Sequence, residues 1–229
     1  MTETKNPLIK LSPSTLNLFL DCPRCFWLEK VKGIRRPRGI FPSLPGGMDR
    51  VIKLHFDQFR TKGTLPPELN GKDFEGIQLF KDQARLERWR SWRTGLEYKD
   101  SDGSILSGAL DDLLVKEDKY IPFDYKTKGS PTTEEDAIKY YQNQLDAYAL
   151  LLEANQLPVA GYAFLLYYSP KNTAAERGTV CFEIQPIKIK IDTERVKVIF
   201  QRAVALLKGA MPASSPACEY CTWLSRFRN

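Results

Sequence analysis

Hydrophobic positions along the chain switch repeatedly between helical and extended spacing. Leu16, Phe19 and Leu20 form a stripe behind the capping candidates Ser12 and Ser14, which predicts a helix running into CPRCFWLEK. A loop from Gly33 to Gly47 holds three prolines. Met48, Val51, Ile52, His55, Phe56 and Phe59 then return to helical spacing, and this sets His55, the single histidine, on the apolar face. Residues 61–82 predict loop with short helical pieces, Arg85–Arg93 a helix, and a strand begins near Leu96. Thr132 or Thr133 with Glu135 or Asp136 makes a capping-box pattern for a helix reaching about Ala154. Gly161–Tyr168 and Thr179–Ile191 read as strands. Asp192 caps a last helix that buries Val196, Ile199, Phe200, Ala203, Leu206 and Leu207 and ends at Gly209. Helices, strand, hairpin, helix, strands and helix in that order predict an α/β domain, a mixed sheet flanked by helices, over residues 1–229.

The most informative stretch is GALDDLLVKEDKYIPFDYKTKG. Two apolar runs, Leu110–Val115 and Tyr120–Tyr125, surround the charged turn KEDK and predict a β-hairpin. A two-residue loop at Glu117-Asp118 and a four-residue loop at Lys116–Lys119 give one register, with Asp111 directly opposite Asp124. Like charges so placed destabilise a sheet. Lys126 shares the face of Asp124. Two opposed carboxylates beside an ammonium suit a divalent cation, although a solvated face with an Asp–Lys ion pair gives the same pattern. Asp112 points to the other face, unless the hairpin slips by one residue.

Composition narrows the class. The chain has 229 residues, enough for one large domain, and carries a formal charge of +6. No stretch nears the roughly 20 apolar residues of a membrane span, and the N-terminus lacks a secretory h-region, so a soluble cytoplasmic protein without a membrane partner is expected. The basic loop KGIRRPRG, with Arg35 and Arg36, and the segment RLERWRSWR, where Arg90 lies between Trp89 and Trp92, would suit phosphate contact with base stacking. Each also reads as an ordinary exposed segment, its Trp residues buried. Cys22 and Cys25 form CPRC near the start, and Cys218 and Cys221 form CEYC near the end. Without a secretion signal, two CxxC pairs favour a four-thiolate metal site over disulfides. Such a site would staple segments 11–30 and 210–229 together. Cys181 reads as a small buried hydrophobe.

Taken together, the motifs resemble the PD-(D/E)XK nuclease superfamily, and within it the RecB-like branch that includes CRISPR-adaptation nucleases and the AddB nuclease domain. His55, Gly108-Ala-Leu-Asp111, Asp124-Tyr-Lys126 and Gln144-x-x-x-Tyr148 fall in the order of that branch. The resemblance runs from about Leu11 to Cys221 and implies a restriction-endonuclease-like sheet. It implies Mg²⁺ or Mn²⁺ held by His55, Asp111, Asp124 and the Tyr125 backbone carbonyl, with Lys126 orienting or deprotonating the attacking water. Gln144 and Tyr148 would contact the nucleic-acid backbone or support the metal site; packing of Tyr148 on the sheet is the alternative. The iron–sulfur members set one N-terminal cysteine against three near the C-terminus, whereas this chain has two and two. Cys22, Cys25, Cys218 and Cys221 still suffice for a [4Fe–4S] cluster and equally for zinc. The bulky neighbours Phe26-Trp27 and Thr222-Trp223 tip the reading toward the cluster.

The expectation is therefore a metal-dependent DNA nuclease acting on single strands or ends, an exonuclease in repair, recombination or mobile-element defence. The chain carries no P-loop, so a helicase partner would be a separate protein. The alternatives are a catalytically silent nucleic-acid-binding subunit and a four-cysteine adaptor in a larger complex.

Overall fold

The computed structural model describes residues 8–40, 43–173 and 177–226. The ends of the predicted domain, 1–7 and 227–229, lie outside them, and with them most of the N-terminal stretch read as lacking a secretory h-region. The centre is a five-stranded sheet in the order β2-β5-β6-β7-β8. Its strands are β2 (Ile77–Leu79), β5 (Asp112–Lys116), β6 (Lys119–Thr127), β7 (Tyr162–Pro170) and β8 (Phe182–Lys190). Neighbours are antiparallel except β6 and β7, which run parallel. Parallel neighbours need a long crossover, here containing helix α5 (Glu134–Ala154). Thr133 caps α5 by accepting from the Asp136 amide, and three acidic residues in the first turn favour its N-terminal dipole. A smaller sheet joins β1 (Lys10–Leu11), β4 (Ile105–Gly108) and β3 (Leu96–Lys99), in the order β1-β4-β3. The expected mixed sheet flanked by helices is present.

Strand alternation sends successive residues to two cores. Leu113, Leu165 and Tyr167 join a cluster with Leu145 and Leu152 of α5, Leu16 and Phe19 of α1 (Pro13–Asp21), and Phe200 of α6 (Thr193–Leu207). Leu114, Ile121, Phe123 and Phe164 join the other, beneath Ile52 and Phe56 of α3 (Ser43–Lys62). Phe56 is fully buried against Phe123 and Tyr125, with ring centroids 5.5 and 4.8 Å away. Cutting it back to alanine costs about 3–5 kcal/mol. The catalytic candidates sit where these layers meet, at one end of β5 and β6.

Three differences from expectation have local causes. Helix α3 starts at Ser43, inside the expected loop, because a proline such as Pro45 is tolerated in a first turn where no intrahelical amide bond is lost. Strands β1, β2 and β4 are too short to declare a period of two. Cys181 is exposed just ahead of β8 instead of buried.

Candidate active site

The hairpin closes through a two-residue turn at Glu117-Asp118, with Glu117 at φ 56°. Asp112 pairs with Phe123 and Lys116 with Lys119, the predicted register. Asp111 is the first residue beyond the ladder, level with Asp124. Two groups hold it there: the Arg90 Nε–H donates to its backbone carbonyl at 2.8 Å, and the Leu110 N–H donates to the Trp89 carbonyl at 3.0 Å. At Gly108, which opens the motif, a Cβ would come within 2.8 Å of Leu151 Cδ1, so any side chain there would displace that buried leucine. The Tyr120 N–H and C=O both bond toward the β7 side, at Pro158 and Ala160. By alternation the Tyr125 carbonyl faces the β5 side, beyond the point where pairing has ended.

The Asp111 and Asp124 carboxyls meet closely enough to share a proton. Asp124 is fully buried, and burial, reinforced by the Asp111 charge, pushes its carboxyl well above the usual range despite Lys126. Burial also pushes Asp111 up, but the shared proton and Lys53 outweigh it and hold it low. Lys126 forms an ion pair with Asp124 and lies 4.6 Å from the centre of the Tyr141 ring. Burial disfavours its charge, yet Asp124 prevails and the amine stays an ammonium at neutral pH. Gln144 Nε2 donates to Asp124 Oδ1 at 3.3 Å and to the Tyr148 hydroxyl at 2.6 Å, so Gln144 and Tyr148 do join this site. Hard oxygen donors opposed across a sheet, with two ammonium groups supplying the charge between them, fit a small divalent cation.

The second ammonium was not foreseen. Lys53 Nζ on α3 donates to Asp111 Oδ1 at 2.8 Å and Asp49 Oδ2 at 2.9 Å. His55 is a correction: two residues along a helix turn the side chain by about 200°, so it faces away. Its Nε2 lies 2.9 Å from Glu68 Oε1, and its ring sits edge-on to Phe59, 5.0 Å between centroids. The signal for Lys53 was the i, i+4 pair it makes with Asp49, which reads equally as an ordinary helix ion pair.

Asp112 serves the opposite face. It is fully buried and accepts from Arg60 Nη2 at 2.6 and 2.7 Å, from Arg90 Nη2 at 3.2 Å and from the Tyr125 hydroxyl at 2.5 Å. Arg90 also pairs with Asp57 at 2.7 Å. Placing Arg90 on nucleic acid is therefore corrected, since both ends of its guanidinium are engaged inside the protein. Arg36 is corrected too: it pairs with Asp21 at 2.5 Å, stacks 4.6 Å from the Tyr220 ring and donates to Cys218 Sγ at 3.3 Å. Arg35 is exposed on the loop.

The four cysteines converge as expected. Cys22 is the N-cap and Cys25 the third residue of α2 (Pro23–Lys32), and Cys218 and Cys221 hold the same positions on α7 (Glu219–Ser225). Helix N-termini favour thiolates. Burial raises the Cys22 thiol, but backbone donors at Cys25 and Ser215 bring it down to about 6. Sulfur separations are 3.6 Å for Cys25–Cys221, 3.7 Å for Cys25–Cys218 and 3.9 Å for Cys22–Cys221. Zn–S bonds of about 2.3 Å give a tetrahedron with edges of about 3.8 Å. A cubane inserts four irons and four sulfides between its thiolates and needs them further apart. Phe26 is buried as a shield, whereas Trp223 is 60% exposed.

Residues 74–226 match the family model described as the PD-(D/E)XK nuclease superfamily, more than half of the chain. The chain belongs to this superfamily. The matched span of this PD-(D/E)XK protein contains Asp111, Asp124, Lys126, Gln144 and Tyr148, while α3 with Asp49 and Lys53 precedes it. No curated protein matches. A solved structure described as "Crystal structure of SSO0001" is similar at 14% identity over 97% of this chain and 88% of that chain, with a TM-score of 0.49. Membership of the superfamily brings nuclease chemistry with a divalent metal. No helix among the described residues is long and apolar enough to cross a membrane.

Proposed function

We propose that this PD-(D/E)XK protein is a Mg²⁺- or Mn²⁺-dependent deoxyribonuclease of the RecB-like branch. It would act on single strands or ends as an exonuclease, in cytoplasmic DNA repair, recombination or mobile-element defence. The observation that carries the reading is the buried Asp124 carboxyl set against Asp111 with Lys126 in contact, at the mouth of a hairpin inside the family-matched span. A sheet gains nothing from opposed carboxylates, so their presence together points to a ligand. Asp111, Asp124 and the Tyr125 carbonyl would hold the ion, which when bound supplies Lewis acidity and a water of lowered pKa. Lys126 positions that water and offsets negative charge developing on the scissile phosphate. Gln144 fixes the Asp124 rotamer. The cysteines form a separate structural site, and their sulfur spacing supports a single tetrahedral ion, zinc, over the [4Fe–4S] cluster.

The test is cleavage of end-labelled single- and double-stranded DNA with and without Mg²⁺ or Mn²⁺. Metal-dependent hydrolysis is expected, with Asp124→Ala and Lys126→Ala each reducing it by at least about 10²-fold while folding persists. Undiminished cleavage by either variant refutes the assigned site.

A further inference from the structure

A cleft of about 770 Å³ opens beside the carboxylate pair. Its walls are the first turn of α1, with Ser12 and Ser14, the end of β4 at Ser107 and Gly108, and Trp92 with Arg93 just beyond α4 (Gln83–Arg90). Gln144 and Tyr148 also line it, and Gln144 is the residue whose amide touches Asp124. The cleft therefore leads to the reacting pair.

Two features of the lining point to its occupant. Trp92 is 75% exposed, although Trp89 one turn earlier is buried. Leaving so large an apolar ring in water forgoes its burial, and here the ring stands on the wall of a cleft where a flat partner can cover it. The Arg93 guanidinium lies 4.9 Å from the centre of that ring, a cation beside a stacking platform. The lining also carries Lys10 and Arg93 and no acidic residue, in a chain with 28 acidic residues.

We propose that this cleft seats an unpaired single strand of nucleic acid on its way to Asp111 and Asp124, a base stacking on Trp92 and Arg93 contacting phosphate; this rests on the nuclease reading above. The hydroxyls of Ser12 and Ser14 line the same path. Bases inside a duplex have both faces covered by their neighbours, so an aromatic platform selects strands whose bases are free.

Binding of a labelled oligothymidine and of a blunt hairpin duplex is measured by fluorescence anisotropy on the full chain, without added Mg²⁺ or Mn²⁺. Trp92→Ala is expected to weaken single-strand binding by about 5- to 150-fold and to leave duplex binding and the melting temperature unchanged. Trp92→Phe retains most of the affinity, and Arg93→Gln lowers the salt slope by about 0.7. Unchanged single-strand affinity in Trp92→Ala, or an equal loss for both substrates, overturns the cleft assignment even if wild-type protein cleaves DNA. Trp92-dependent binding by a chain that never cleaves overturns the nuclease reading instead and leaves the cleft as a strand-binding site.

Discussion

Asp111 and Asp112 are adjacent in sequence and should respond to substitution in opposite ways. Asp112→Ala removes the partner of Arg60, whose side chain is 1% exposed, and a shared partner of Arg90 and Tyr125. Deleting one member of a buried ion pair costs about 3–5 kcal/mol, because the other charge stays buried without compensation. In a chain of this length each kcal/mol lowers the melting temperature by about 2–4 °C, so a fall of about 6–20 °C is expected. Asp111→Ala removes a partly exposed ion pair with Lys53, worth up to about 1 kcal/mol, while the proton the pair shares stays on the Asp124 carboxyl and leaves no buried charge uncompensated there. Its melting temperature should stay within about 4 °C of wild type while cleavage disappears. Circular dichroism melts at fixed pH, salt and zinc, run beside the cleavage assay, read both effects. A small loss for Asp112→Ala, or an equally large one for Asp111→Ala, refutes the division of labour between the two sheet faces. The double variant Arg60→Met, Asp112→Leu should recover much of the stability, as apolar replacements of buried ion pairs commonly do.

Lys53→Met should lower cleavage about 10²-fold with little change in melting, whereas His55→Gln should leave turnover near wild type; a strong effect of His55→Gln would restore it to the site. Purified protein should be colourless with zinc bound, and Cys25→Ser should lose the metal and melt earlier; visible absorbance from an iron–sulfur chromophore would sink the zinc assignment. Burial raises the Asp57 carboxyl, but the Arg90 hydrogen bond and charge outweigh it and hold it below the ordinary value. Its stabilising effect is therefore complete above the unfolded carboxyl pKa of about 3.9 and lost as pH falls through the lower folded value. Asp57→Asn should flatten the acid limb of a plot of melting temperature against pH, and an unchanged limb would show that Asp57 does not contribute.

The hairpin register was legible because it rests on local rules, a two-residue turn and alternation, and these placed Asp111, Asp112, Asp124 and Lys126 on the correct faces. Convergence of the cysteine pairs was legible from thiol chemistry. The side-chain partners brought in from other elements were not. Arg60 follows Phe56 by four residues and looks like the polar end of an amphipathic helix, until the fold brings Asp112 beneath it. Arg36 and Arg90 carry the charge expected of phosphate contacts, but Cys218 and Asp57 reach them first from elements far along the chain. His55 matched an order of motifs, and only the helical phase, set by Lys53 against Asp111, shows that it turns away.

The cysteine clamp joins Cys25 to Cys218 across 193 positions. Cys22 and Cys25 leave the ribosome before Cys218 and Cys221 and stay unpaired with them until the intervening segment has followed. The entropic cost of closing so long a loop grows only slowly with its length, so a metal held by all four thiolates would be captured late, after the segment between the pairs has been made.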